Sequence, residues 1–267
     1  MHGPPHRSAP PRTLWLVHGS RTPNAEPVHR LQVPAVNKSI TNKLLPALLG
    51  CVAGSTDTIG FLALGGLFTA HITGNFIVLA THLVNHGKAP VAVILSVPVF
   101  VAVLLLTRWL VARLDALGIG TLQPLLLMEC LLLASFLATR VLIGTPINMN
   151  APAAIFAGML GIAAMAVQNA VGQICLGAPS TTAMTANLAR FALEVGEIFA
   201  APKYHDHNRW RSLMPQGAPL AGFIIGCGLG AACEAAFNPW SLVLPVALAA
   251  IALAISFATQ PKAQDRL

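Results

Sequence analysis

Six stretches of the chain are almost continuously apolar, at about residues 43–65, 90–113, 121–144, 152–177, 216–237 and 239–258. Each is close to the roughly twenty residues that an α-helix needs to cross a hydrocarbon core. Two further stretches, 68–86 and 180–200, keep a helical spacing of apolar positions but break it with polar ones. The first carries His71, Thr73, Asn75 and His82, and the second Thr185, Asn187, Arg190, Glu194 and Glu197. A helix of that kind cannot face lipid all round. It must be covered by protein, line a watery cavity, or re-enter the bilayer without crossing. The pattern therefore predicts an all-α, polytopic transmembrane bundle of eight helical segments, six of them crossings and two of them polar and either crossing or re-entrant.

The segments repeat. Asn75 and Asn187 lie 112 residues apart, and the same offset pairs Gly60 with Gly172, Leu64 with Leu176, Gly65 with Gly177, Thr69 with Thr181 and Thr73 with Thr185. Asp57 falls on Asn169, which is nearly isosteric. Leu and Gly matches are cheap between apolar helices, whereas the Thr and Asn matches are not. The spacing predicts a duplication, with repeat one at about 43–144 and repeat two at about 152–258, as in many transporter folds. If the polar segments cross, each half has four crossings and the halves run parallel. If they re-enter, each has three and the halves are inverted. Both versions put the N-terminus, Lys203–Arg211 and the C-terminus in the cytoplasm; Lys88 against Arg108 and Arg113 tilts the balance of positive charge toward the inverted version.

Composition agrees. Of 267 residues, 55% are hydrophobic and only 9% charged, far below the roughly one quarter charged of a water-facing domain. The net charge of +7 is concentrated ahead of the first apolar stretch. There it orients a membrane protein, and no nucleic-acid partner is expected. Residues 1–36, rich in Pro, Arg and His, read as a disordered basic cytoplasmic tail without a cleavable signal. Residues 37–259 read as a single transmembrane domain and 260–267 as a second cytoplasmic tail. The cysteines, 51, 130, 175, 227 and 233, all fall in apolar stretches with no CxxC pair. They read as packing residues, and no metal or cofactor is expected.

The run Gly54-Ser-Thr-Asp57-Thr-Ile-Gly60-Phe, then Gly65-Gly66-Leu-Phe68, then His71-Ile-Thr73-Gly74-Asn75, resembles the signature of the YoaK-type family, bacterial inner-membrane proteins grouped as a domain of unknown function. Gln168-Asn169, Thr181-Thr182 and Thr185-Ala186-Asn187 resemble that family's second motif, with Ala186 where the pattern usually has glycine. The likeness covers about residues 43–258. It implies a bacterial plasma-membrane location and a small helical bundle, and it implies no activity.

Several polar residues stand out against the apolar background. Asp57 lies deep in the first segment among Gly54, Ser55, Thr56, Thr58 and Gly60. A carboxylate at a helix centre costs about 2.5 kcal/mol or more, so it normally faces a cavity or a partner. Small and hydroxyl neighbours suit an unwound turn that holds an ion or polar solute; the alternative is a structural carboxylate bonded to a neighbouring helix. Thr73, Asn75, Thr185 and Asn187 offer donors and acceptors at matching positions of the two halves, for a ligand or for bonds between helices. His71 near Asp57 suits a proton relay or a strut. Glu129, in a run of leucines with no charged neighbour, is either a proton-coupling group or a structural acid. Ala218, Gly222, Gly226 and Gly230 recur every fourth residue as a flat strip for close helix packing, within the bundle or in a homo-oligomer.

No P-loop, GxSxG elbow or HExxH motif occurs, so no catalytic residue is assigned. The sequence predicts a transporter or channel-like permease for a small polar solute or ion. Its site lies between the repeats and is lined by Ser55, Asp57, His71, Thr73, Asn75, Asn169, Thr185 and Asn187, with Asp57 or Glu129 coupling protons. The alternatives are a membrane interaction or scaffold protein, in which those groups serve packing alone, and an intramembrane enzyme.

Overall fold

The computed structural model describes residues 38–84, 90–145, 148–177, 184–200 and 214–258, all within the unit Ala35–Leu267. Both tails, the Lys203–Arg211 loop, Lys88 and Thr181–Thr182 lie outside the described residues. Every regular element among the described residues is helical: α1 (Lys38–Ala63), α2 (Gly74–Val84), α3 (Val91–Ala116), α4 (Leu122–Ile143), α5 (Pro152–Ala170), α6 (Met184–Ala200), α7 (Met214–Phe237) and α8 (Val243–Ala258). The last turn of α5 widens into a π-helix, Val171–Cys175, and a 3-10 turn, Asn238–Trp240, follows α7. Five of these helices are long and apolar enough to cross a membrane: Leu44–Ala63, Val91–Ala116, Leu122–Ile143, Pro152–Cys175 and Gly217–Trp240. The chain is thus an all-helical protein with membrane-spanning character. α2 and α8 are apolar but shorter.

One expected helix begins late. The sequence predicts helix from residue 68, yet residues 64–73 are not helical and α2 starts at Gly74. Gly65 and Gly66 adopt φ of +64° and +84°, a region that glycine enters without a steric penalty. They turn the chain out of α1, so His71 and Thr73 lie in a loop, while Asn75 and His82 keep the expected helix in α2.

The apolar clusters fix the helix directions. Near the start of α1, Leu45 and Leu49 pack with Val111 late in α3, Leu125 early in α4, Val167 late in α5 and Ala252 late in α8. Near its end, Ile59 clusters with Val93 early in α3, Phe136 late in α4, Ile162 in α5 and Leu242 just before α8. α4 therefore runs with α1, whereas α3, α5 and α8 run against it. α7 runs with α1, because Gly222, Gly226 and Gly230 lie in order against Ala47, Cys51 and Ser55.

The packing is selective. α1 lies against α7 and α8, α5 against α3 and α4, α2 against α3, α6 against α7, and α4 against α8. α1 and α5 are mostly buried at the centre. The outer helices present large apolar side chains outward, including Leu105 and Leu106 of α3, Leu131 of α4 and Ile224 of α7, as a lipid-facing surface requires. The glycine strip is occupied from within the chain. A Cβ at Gly222 or Gly226 would stand 2.0 or 2.3 Å from the Ala47 or Cys51 carbonyl oxygen of α1. That leaves no room on this face for a partner's helix, so the homo-oligomer expected through Gly222, Gly226 and Gly230 would have to use another surface.

Candidate functional site

The loop leaving α1 folds back and is held from both ends. From α1, Asp57 Oδ1 accepts the backbone N–H groups of Thr69 (2.7 Å), Ala70 (2.8 Å) and, at longer range, His71 (3.4 Å), together with the Thr69 hydroxyl (3.4 Å). Successive N–H groups turned toward one anion form a concave nest, which favours negative charge. From α2, the Asn75 amide closes a pair of bonds on Phe68. Its Oδ1 accepts the Phe68 N–H at 2.9 Å, and its Nδ2 donates to the Phe68 carbonyl at 2.8 Å. Glycine at 60 leaves room for this loop, since a Cβ there would meet the Thr69 methyl at 2.9 Å.

Asp57 Oδ2 faces His71. The two groups lie 2.8 Å apart through Nδ1, so a proton on that nitrogen donates to the carboxylate. Asp57 is buried, whereas the His71 side chain is 28% exposed. The edge of the imidazole rests against Phe223 of α7, with centroids 5.0 Å apart. Asp57 thus does two jobs with two oxygens: one organises the loop, and the other orients an accessible imidazole.

The remaining expected site residues occupy different settings. Ser55 is buried but turns back on its own helix, donating to the Cys51 carbonyl at 2.8 Å and lying 3.1 Å from that of Val52. Thr73 is exposed in the turn before α2. In the second half Asn169 is buried in α5, and its Oδ1 accepts from Gln173 of the π-turn. The neighbouring Gln168 donates to the Leu49 carbonyl of α1 at 2.8 Å. Asn187 is buried in the first turn of α6, 3.9 Å from Met184 Sδ, while Thr185 is exposed. Asp57, His71 and Asn75 are brought together by the loop. Glu129 is buried in α4.

A polar cluster that sequence reasoning missed closes the end of the bundle where α4 and α7 finish. Arg140, 2% exposed, donates to Glu234 (3.3 Å), Asn238 (3.1 Å) and the Gly144 carbonyl (3.2 Å). Ser241 donates to the other Glu234 oxygen at 2.5 Å. The available signal was one arginine near the end of α4 and one glutamate near the end of α7, two helices that run the same way.

Most of the signature residues build one device, a non-helical segment clamped against a central helix. A family model described as Protein of unknown function (DUF1275) matches residues 45–255. The chain belongs to the DUF1275 family. The match begins at the first buried turn of α1 and ends within α8, so it covers the clamped loop and both central helices of this DUF1275 member. Neither the curated proteins nor the solved structures yield a match.

Proposed function

We propose that this DUF1275 protein is a transporter or channel-like permease for a small polar solute or ion, built from two inverted halves of three crossings and one re-entrant segment each. The observation that carries the reading is the packing pattern. Exchanging α1 with α5, α2 with α6, α3 with α7 and α4 with α8 maps the helix contacts onto themselves: α1 on α7 becomes α5 on α3, and α1 on α8 becomes α5 on α4. For α1 with α5 and α2 with α6 the same exchange matches the 112-residue offset, and the later helices correspond in order only. α1 ends at Ala63 and the π-turn at Cys175, and Gly65 and Gly177 both carry positive φ. α1 and α5 run in opposite directions, as an inverted pair must. Folds of this type bind their cargo near the midplane, where irregular backbone meets the interface of the halves.

In this reading the His71 imidazole is the group that meets the cargo or a proton, and Asp57 holds it in place. Asn169 stands at the position equivalent to Asp57, so the two halves share shape but not charge. The protein lies in a bacterial inner membrane with both termini cytoplasmic. The turn 117–121 then faces the cytoplasm too, which suits Arg108 and Arg113 near it. Arg113 lies over Trp109 at 5.0 Å, a pairing fitted to a membrane–water boundary.

A scaffold or interaction role is the second reading, favoured by one observation: Asp57 and Asn75 spend their hydrogen bonds on the protein's own loop. The two readings separate in an uptake and growth comparison of deletion, parent and overexpression strains across a broad panel of polar solutes. Transport predicts a compound whose accumulation follows expression and is lost in His71→Ala at equal abundance. Accumulation that never tracks expression, beside a binding partner recovered through the loop, would favour the scaffold.

A further inference from the structure

The buried stripe of α4 comprises Leu125, Leu126, Glu129, Leu133, Phe136 and Arg140. An acid sits where the spacing calls for an apolar residue. Glu129 is 0% exposed, and neither of its carboxyl oxygens has a hydrogen-bond partner among the described residues. Its neighbours along the stripe are packed in carbon. Leu125 and Leu126 cluster with Leu49 and Val167, and Leu133 with Ala53, Met165 and Ala249.

Among the described residues, no counter-charge faces it from the packed elements. α5 and α8 contain no acidic or basic residue. The π-turn contributes Cys175, which pairs with the Thr121 hydroxyl. On α1 the described titratable side chains are Cys51, a free thiol, and Asp57, which is held by its loop and His71. On α4 itself Cys130 is adjacent, and Arg140 is three turns away, bound to Glu234. An unpaired carboxylate is among the costliest groups to place in such a core. A hard metal cation would need about six oxygen ligands, and aliphatic side chains supply none. A single proton needs no further ligand.

We propose that Glu129 is a proton-binding site of the bundle. In the packed arrangement described here it is the neutral acid. When the α4 stripe parts from α5 and α8, water enters, the O–H bond breaks, and the proton passes to that water, which also solvates the carboxylate left behind. Reprotonation from water precedes resealing. This deepens the transport reading, on which its role rests, by naming the proton as the coupled ion.

Infrared spectroscopy of the full chain in lipid at neutral pH tests the site without any cargo. The parent protein shows a protonated-carboxyl C=O band that disappears in Glu129→Gln, persists in Asp57→Asn, and shifts when the folded protein is moved into D2O. Should Glu129→Gln fail to fold, Glu129→Asp keeps the acid and displaces the band. No such band in the parent, a band unmoved by either Glu129 variant, or one that never shifts in D2O each overturns the proposal. A band that behaves as expected beside an empty uptake panel removes the transport reading and leaves the proton site standing.

Discussion

Asp57 and Glu129 are both acidic side chains buried in one bundle, and their surroundings are opposite. Asp57 meets backbone N–H groups of a folded-back loop and a histidine. Glu129 meets aliphatic side chains, with no hydrogen-bond partner among the described residues. The difference teaches that an acid inside a membrane helix is defined by what its oxygens touch. Asp57 is a keystone whose oxygens are answered by fixed backbone dipoles and a histidine, and Glu129 is the group proposed to rest in the closed core as a neutral acid.

Substitutions that remove the acids should therefore differ in sign. Asp57→Leu would strand two well-made N–H donors and the imidazole, each orphan costing about 1–3 kcal/mol. The expected outcome is loss of most folded protein, read by size-exclusion profile and thermal melting in detergent; a variant that melts like the parent would break the comparison. Asn75→Leu removes the other clamp. With two bonds to Phe68 lost at about 1 kcal/mol each, it should melt measurably lower yet still yield folded protein.

Glu129→Leu should go the other way. It deletes no bond seen in the structure and removes a buried polar group, a gain on the order of 1 kcal/mol from mutational scales. Melting at or above the parent temperature, together with lost uptake, is the expected pair of results. A clear drop in melting would mean that Glu129 has a structural partner after all. The smallest structural effect belongs to Asp57→Asn. The amide oxygen can still accept the Thr69 and Ala70 N–H groups, so only the charge assistance goes, about 1 kcal/mol. Folding should be nearly normal while His71 loses its anionic partner and any uptake falls. Full complementation by Asp57→Asn would make Asp57 a strut alone.

The sequence was informative wherever local physics decides. Apolar runs at 121–144 and 152–177 became Leu122–Ile143 and Pro152–Cys175, because helix length in a bilayer is set by composition. Asp57, Glu129 and Asn169 were visible as polar residues out of place, and all three are buried. The loop at 64–73 was not legible. His71 and Thr73 fall within the helix expected over 68–86, and only the glycine turn together with the reach of Asp57 to residues twelve to fourteen positions later makes them a loop, while Asn75 stays helical in the first turn of α2. The Arg140–Glu234 pair was invisible for a similar reason. Its members are 94 residues apart and meet only once the directions of α4 and α7 are known.

The functional reading stands on the inversion of the halves, and the location of the α3–α4 turn tests that inversion most directly. In a cysteine-free background, Gly118→Cys should be shielded from an impermeant thiol reagent added outside intact cells and react after permeabilisation. Asn148→Cys, in the turn between α4 and α5, should react from outside. Six crossings in two inverted halves require that pair of results. Labelling of Gly118→Cys from outside would mean that the segment holding Asn75 crosses the bilayer, that the halves run parallel, and that a pathway between inverted halves does not exist.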